Sequence, residues 1–125
     1  MTMWTSEELD RIGTAEELQI QSLRSNGTLR NPVIIWVVRL GDDLYIRSVN
    51  GRTSAWFRGT QQCHKGHIQA GGVDKDVSFE EVVDDQIIAQ VDDAYRTKYR
   101  KYAPQYVEPL MVPDARAATI KLVPC

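Results

Sequence analysis

Two arginines and a serine stand around one predicted turn and have the chemistry to bind an anion. Arg47 and Ser48 end the apolar segment 44–49, and Arg58 follows the glycine turn at Gly51. A guanidinium group carries a rigid fork of donors that can hold a phosphate through two hydrogen bonds. A serine hydroxyl and the backbone N–H groups of a glycine-containing turn can complete such a site. These residues predict either an anion site or surface arginines paired with nearby acidic side chains.

Two aromatic residues, Trp56 and Phe57, lie directly before Arg58. Their flat faces can stack against a planar ring, and they can equally well belong to the hydrophobic core. The pattern therefore predicts that these aromatic side chains stack on the planar ring of a ligand beside the anion site. The alternative is that they are buried in the hydrophobic core.

Other reactive side chains are weaker candidates. Cys63, His64 and His67 have the spacing of metal ligands, but no fourth ligand stands nearby and Gly66 indicates a turn, so we predict a solvated loop and no metal. Lys98 and Arg100 lie in a segment with helical periodicity and could reach a ligand on the sheet, which makes them outer candidates.

Composition limits the class of protein. The chain has 125 residues, 42% of them hydrophobic, and a net charge of −2, which predicts one globular domain over residues 1–125. No apolar run approaches the roughly 20 residues that span a bilayer, and the acidic N-terminus does not resemble a signal peptide. Two cysteines favour a reducing, cytoplasmic location. Nucleic-acid binding usually requires a more basic protein.

The elements that must position the candidate residues follow from periodicity. The segment 33–40 is apolar on both faces, which predicts a central strand. It is followed by two short turns, so 33–40, 44–49 and 55–59 predict an antiparallel meander. Further strands are predicted at 17–24, 67–72, 73–82 and 117–124, and helices at 6–13 and 84–102. The pattern predicts a small α+β domain, mainly β, with five or six antiparallel strands in a barrel.

The sequence resembles an uncharacterised bacterial family, domain of unknown function 2255, over nearly the whole chain, from segment 17–59 to segment 102–124. It is more remotely similar to the deazaflavin-dependent nitroreductases and the FMN-binding split barrels. The shared order of parts is a strand, a Gly-Asp turn, a strand that ends in serine, a glycine loop and a Trp-aromatic pair.

This resemblance implies a six-stranded antiparallel split β-barrel with a few short helices, a homodimer, and a flavin or deazaflavin whose phosphate lies near the serine loop. Ser48 and Gly51 match that loop, and Trp56 matches the first residue of the aromatic pair. Arg47 resembles the arginine of arginine-hydroxyl pairs in the FMN barrels. Where the nitroreductases continue with His-Asn-Leu and then Asn-Pro, this chain has Arg58-Gly59-Thr60.

The resulting hypothesis is an FMN- or deazaflavin-binding protein that, as an oxidoreductase, would transfer hydride to a small substrate. Arg47, Ser48 and Arg58 would hold the phosphate, and Trp36 or Trp56 would flank the ring. The alternative is a cofactor-free module that binds a small ligand or forms dimers, with no enzymatic activity. A single-stranded nucleic-acid binder is a third hypothesis.

Overall fold

The computed structural model describes residues 3–125; residues 1 and 2 of the predicted domain lie outside them. The strands are β1 (Leu18–Ser22), β2 (Val33–Ile35), β3 (Val37–Leu40), β4 (Asp43–Arg47), β5 (Lys65–Ala70), β6 (Val73–Glu81) and β7 (Thr119–Pro124). The helices are α1 (Ser6–Thr14), α2 (Ala55–Cys63), α3 (Asp85–Lys98), α4 (Pro104–Val107) and α5 (Pro113–Arg116), with 3-10 turns at Gly51–Thr53 and Glu108–Met111. No helix within residues 3–125 is long and apolar enough to cross a membrane.

The strands form one antiparallel sheet in the order β2-β1-β5-β6-β7-β4-β3. Its two end strands, β2 and β3, are consecutive in the chain and separated only by Trp36. Because the ends of the sheet meet at this residue, the sheet curls into a nearly closed barrel. The predicted α+β, mainly β, antiparallel barrel is confirmed, with one strand more than the six expected.

The seventh strand arises because segment 33–40, predicted as one central strand, forms two strands, so that prediction is wrong. Trp36 divides it into β2, which pairs with β1, and β3, which pairs with β4, at opposite ends of the sheet. The segment is apolar on both faces for two local reasons. In β3, Val37 faces the barrel interior and Val38 faces the outer helix layer. In β2, Ile34 is 57% exposed.

Two hydrophobic cores meet at β4. Leu44 and Ile46 point into the barrel, whereas Tyr45 points outward. The outer core lies between the sheet and α3 and consists of Val38, Tyr45, Val91, Tyr95, Tyr99, Val107 and Leu110. Helix α3, predicted from its periodicity, begins where Asp84 accepts hydrogen bonds from the N–H groups of Gln86 and Ile87. This outer core packs against β4 on the side that faces away from the barrel interior.

The predicted third strand of the meander, 55–59, is also wrong, since these residues begin helix α2. Ser54 caps the helix by accepting a hydrogen bond from the Phe57 N–H. Phe57 and Thr60 then bury the same face, one turn apart. Five residues were too short a window to separate this helical spacing from strand alternation.

Candidate ligand site around Trp36 and Trp56

Three of the six candidate site residues line one cavity of about 230 Å³. They are Trp36, Arg47 and Trp56. The remaining walls are apolar and come from β2, the β4–α2 loop and the segment around α4. The cavity, called here the Trp36–Trp56 cavity, is lined in full by Ile34, Ile35, Trp36, Arg47, Val49, Trp56, Tyr106 and Leu110.

The two indoles are positioned by different elements. Trp36 occupies the corner between β2 and β3, and its ring stacks on Tyr99 of the segment after α3, with centroids 3.9 Å apart and planes 4° apart. Trp56 lies in the first turn of α2 and packs edge-on against the buried Phe57 at 6.1 Å. Both indoles are half-buried. Each aromatic wall of the cavity is therefore packed against a second aromatic ring.

Arg47 lines the same cavity, but its guanidinium is bound within the protein. Its side chain is fully buried. Nη1 lies 2.5 Å from Asp92 Oδ1 and donates to the Leu110 carbonyl, while Nε donates to Thr119 Oγ1 and Nη2 to the Ile88 carbonyl. All three nitrogens are therefore engaged. The alternative is wrong in placing Arg47 at the surface, although Arg47 is paired with an acidic side chain as that alternative expected. Its predicted role as a phosphate ligand stays a prediction.

A second guanidinium shares the carboxylate of Asp92. Nε of Arg116 lies 3.0 Å from Asp92 Oδ2, so a single buried carboxylate lies between two arginines. Arg47 also lies over the Tyr95 ring, with Cζ 5.8 Å from the centroid. Burial raises the pKa of Tyr95 well above its ordinary value, which keeps that phenol neutral. Arg47, Asp92 and Arg116, two guanidinium groups and one carboxylate, together leave an excess of positive charge beside the cavity.

Ser48 and Gly51, predicted for the phosphate loop, do not line the cavity. Ser48 is buried, and its hydroxyl lies 2.8 Å from that of Ser54, the cap of α2. Gly51 has φ +73°, and a Cβ there would lie 3.1 Å from Asp114. These contacts give both residues a structural use in the turn that leads to α2. Their role toward a phosphate stays a prediction, as does that of Arg58, which is exposed on α2.

A second pocket, also about 230 Å³, lies against the same Trp56 and was not recognised from the sequence. It is called here the basic pocket. Its lining residues are Ile20, Ser22, Arg24, Arg30, Asn31, Val33, Ala55 and Trp56. Arg24 and Arg30 stand on either side of the Asn26-Gly27 turn, so a hairpin drawn through that turn would have brought the two guanidinium groups together.

The remaining candidates lie apart from both pockets. His67 is on β5, with Nδ1 2.7 Å from Asp76 Oδ1 and Nε2 against Asp74. Residues 3–125 contain no group of three side chains arranged to hold a metal. Lys98 donates to the Val37 carbonyl at 2.6 Å, and its partial burial lowers the pKa of its amine to about 8.

Comparison with known proteins places the chain in a family. The model of a family described as uncharacterized proteins conserved in bacteria, DUF2255, matches residues 8–122. The chain belongs to this family. A search of curated proteins finds no match.

Solved structures share the fold. A putative 5-nitroimidazole antibiotic resistance protein from Bacteroides thetaiotaomicron is 13% identical, with a TM-score of 0.66, over 99% of this chain and 82% of that one. An F420 reductase is 13% identical, with a TM-score of 0.60, over 94% and 92%. An FAD-binding protein from Mesorhizobium loti is 16% identical, with a TM-score of 0.58, over 98% and 90%. These neighbours share the fold of this chain, and the likeness extends no further than the fold.

Proposed function

We propose that this protein binds a flavin-type cofactor, FMN or a deazaflavin, with the ring system in the Trp36–Trp56 cavity. The observation that carries the proposal is that two indoles and a buried arginine network meet at one apolar cavity. Structures of the same fold include an F420 reductase and an FAD-binding protein, which supports this class of ligand.

The residues present fit a ring better than a whole cofactor. Ligand pockets that enclose a small molecule usually have volumes of about 300 Å³ or more, whereas this cavity has about 230 Å³. Flat aromatic walls and apolar side chains suit a planar heterocycle. The excess positive charge at Arg47, Asp92 and Arg116 favours a ring that gains negative charge on reduction. The phosphate-bearing tail must therefore lie outside this cavity.

In this proposal the protein is an oxidoreductase. The bound ring would supply the hydride-transfer chemistry, and the protein would supply orientation and electrostatics. Trp36 and Trp56 would orient the ring, and the apolar walls would exclude water from it. Arg47 would act mainly by holding the wall, since its hydrogen bonds join β4 to α3, to β7 and to the 3-10 turn that carries Leu110.

Titration with FMN, riboflavin and a deazaflavin tests this proposal, with tryptophan fluorescence and the visible absorbance of the flavin as readouts. We expect saturable quenching that is reduced in the Trp36→Phe and Trp56→Phe variants. Trp4→Phe is the control, because Trp4 lies in the barrel core, where its Nε1 donates to the Leu122 carbonyl. If none of the three compounds quenches the wild-type protein, the proposal is wrong.

A cofactor-free binding or dimerisation module is the second candidate, and one observation favours it. The mouth of the cavity carries exposed apolar side chains, with Ile34 at 57%, Val49 at 47% and Tyr106 at 59%. Such a patch is typical of an interaction surface. We propose that a second copy of the chain covers this mouth. Sedimentation of the wild type and of Ile34→Asp tests this: a wild-type monomer would contradict it.

A further inference from the structure

The basic pocket is built from three segments that converge on the side of Trp56. Arg24 and Arg30 come from the two arms of the turn that follows β1, and Ser22 is the last residue of β1. Ala55 and Trp56, the first two residues of α2, close the pocket. No carboxylate belongs to the described residues that line it.

Two polar atoms at this pocket are buried without a partner. Ser22 is 4% exposed, and its Oγ has no hydrogen-bond partner among residues 3–125. Nε of Arg30 is likewise buried and unpartnered in the described chain. A buried polar group without a partner destabilises the folded state unless water or a ligand completes its hydrogen bonds. Both atoms lie against Gly59 of α2 at this side of the pocket, so water or a ligand oxygen must enter beside Gly59 to complete their hydrogen bonds.

One terminal nitrogen of each guanidinium is held in place by the protein. Nη2 of Arg30 donates to Gln62 Oε1 at 2.7 Å, and Nη1 of Arg24 donates to the Leu29 carbonyl at 3.0 Å. Neither partner is charged, so neither neutralises the positive charge of the arginines. Two cations with neutral partners favour an anionic ligand.

Helix α2 adds to the same preference. It has nine residues, and Ser54 satisfies the Phe57 N–H, which leaves the N–H groups of the first residues directed toward the N-terminal side. A helix N-terminus favours an anion. Gly59 allows the strand and helix to approach closely, because a Cβ there would lie 2.3 Å from Ser22 Oγ and 2.9 Å from Arg30 Nε.

We propose that the basic pocket binds the phosphate monoester of the ligand whose ring occupies the Trp36–Trp56 cavity. This inference rests on the proposed function, and Trp56, which lines both pockets, is the wall between ring and phosphate. The sequence had predicted the phosphate at Ser48 and Gly51. In this proposal it binds at Ser22, Arg24 and Arg30. The structure favours this location because the Ser48 hydroxyl is already engaged and Asp114 lies against Gly51.

The comparison of FMN with riboflavin tests the proposal, since the two differ only by the phosphate. We expect the wild type to bind FMN at least ~10-fold more tightly than riboflavin, as charge-assisted hydrogen bonds imply. Arg30→Gln should remove most of this difference and leave riboflavin binding unchanged. Arg96→Gln is the control, because Arg96 is an exposed arginine on α3 that lies near Asp93. Equal FMN binding by Arg30→Gln and wild type would overturn the proposal.

Two further variants cover the other outcomes. Ser22→Ala removes an unpartnered buried hydroxyl, so it should fold at least as stably as wild type and still weaken FMN binding. Arg58→Gln tests the arginine that the sequence suggested; selective loss of FMN binding in that variant, with Arg30→Gln unaffected, would overturn the proposal.

If FMN, riboflavin and the deazaflavin all fail to bind the wild type, the proposed function fails, and inorganic phosphate becomes the probe. Thermal stabilisation by phosphate in the wild type, lost in Arg30→Gln, would support the pocket alone. No stabilisation would overturn it as well.

Discussion

The Arg47–Asp92 pair allows a quantitative prediction about stability. Arg47 is fully buried and Asp92 is 8% exposed. Removing one member of a buried ion pair leaves an uncompensated charge in the interior, which typically destabilises a protein by about 3–5 kcal/mol. Asp92→Leu leaves Arg47 without its carboxylate, so we expect its free energy of unfolding to fall by about that amount. Arg116, which is 39% exposed, adds at most about 1 kcal/mol to this loss.

The double variant Arg47→Met/Asp92→Leu separates charge from packing. It removes both charges and keeps similar volume, and such replacements are often neutral or stabilising. We therefore expect it to be more stable than Asp92→Leu alone, although the carbonyls of Ile88 and Leu110 lose a donor. Urea unfolding followed by far-UV circular dichroism gives the free energies for a double-mutant cycle. If Asp92→Leu loses less than about 1 kcal/mol, the value typical of an exposed pair, the account of a buried network is wrong.

Three other substitutions test single features. Burial lowers the pKa of Lys98 to about 8 in the folded state, so between about pH 8 and 10.5 the unfolded chain binds more protons and the free energy of unfolding rises with pH. Lys98→Met should abolish this rise. An identical pH profile of stability for the variant and the wild type would refute the prediction. Gly51→Ala should destabilise the protein by roughly 1–2 kcal/mol because φ is +73°, whereas no loss in urea unfolding would contradict the strain. Ser54→Ala should cost about 1 kcal/mol through the lost cap of α2, and Thr53→Ala, one residue earlier, should cost less in the same assay.

The sequence was sufficient for elements whose pattern is local. Strand β4, the β5–β6 hairpin at Gly71-Gly72, helix α3 and the final strand β7 follow directly from periodicity and turn residues. The strands predicted at 33–40 and 55–59 were wrong because tertiary contacts, rather than the local pattern, decide the structure of these two segments. A strand that is apolar on both faces can be central or can split at a barrel corner, and only the pairing partners distinguish the two.

The structure brings only some of the candidate residues together. Trp36, Arg47 and Trp56 meet in one cavity, although they come from three different elements. The burial of Arg47 was not predictable, because Asp92 is 45 residues away in the chain. Arg24 and Arg30 were not proposed as a pair, although the Asn26-Gly27 turn between them was a sequence signal for a hairpin. That turn and the N-terminus of α2 bring them to one pocket.

Equilibrium titration of the purified protein with FMN and with a deazaflavin shows whether a flavin-type ring binds between Trp36 and Trp56. We expect the visible absorption of at least one of the two to shift saturably, tryptophan fluorescence to fall in parallel, and Trp56→Phe to reduce the fluorescence change. If excess protein leaves both spectra unaffected and tryptophan emission does not change, no such ring binds there.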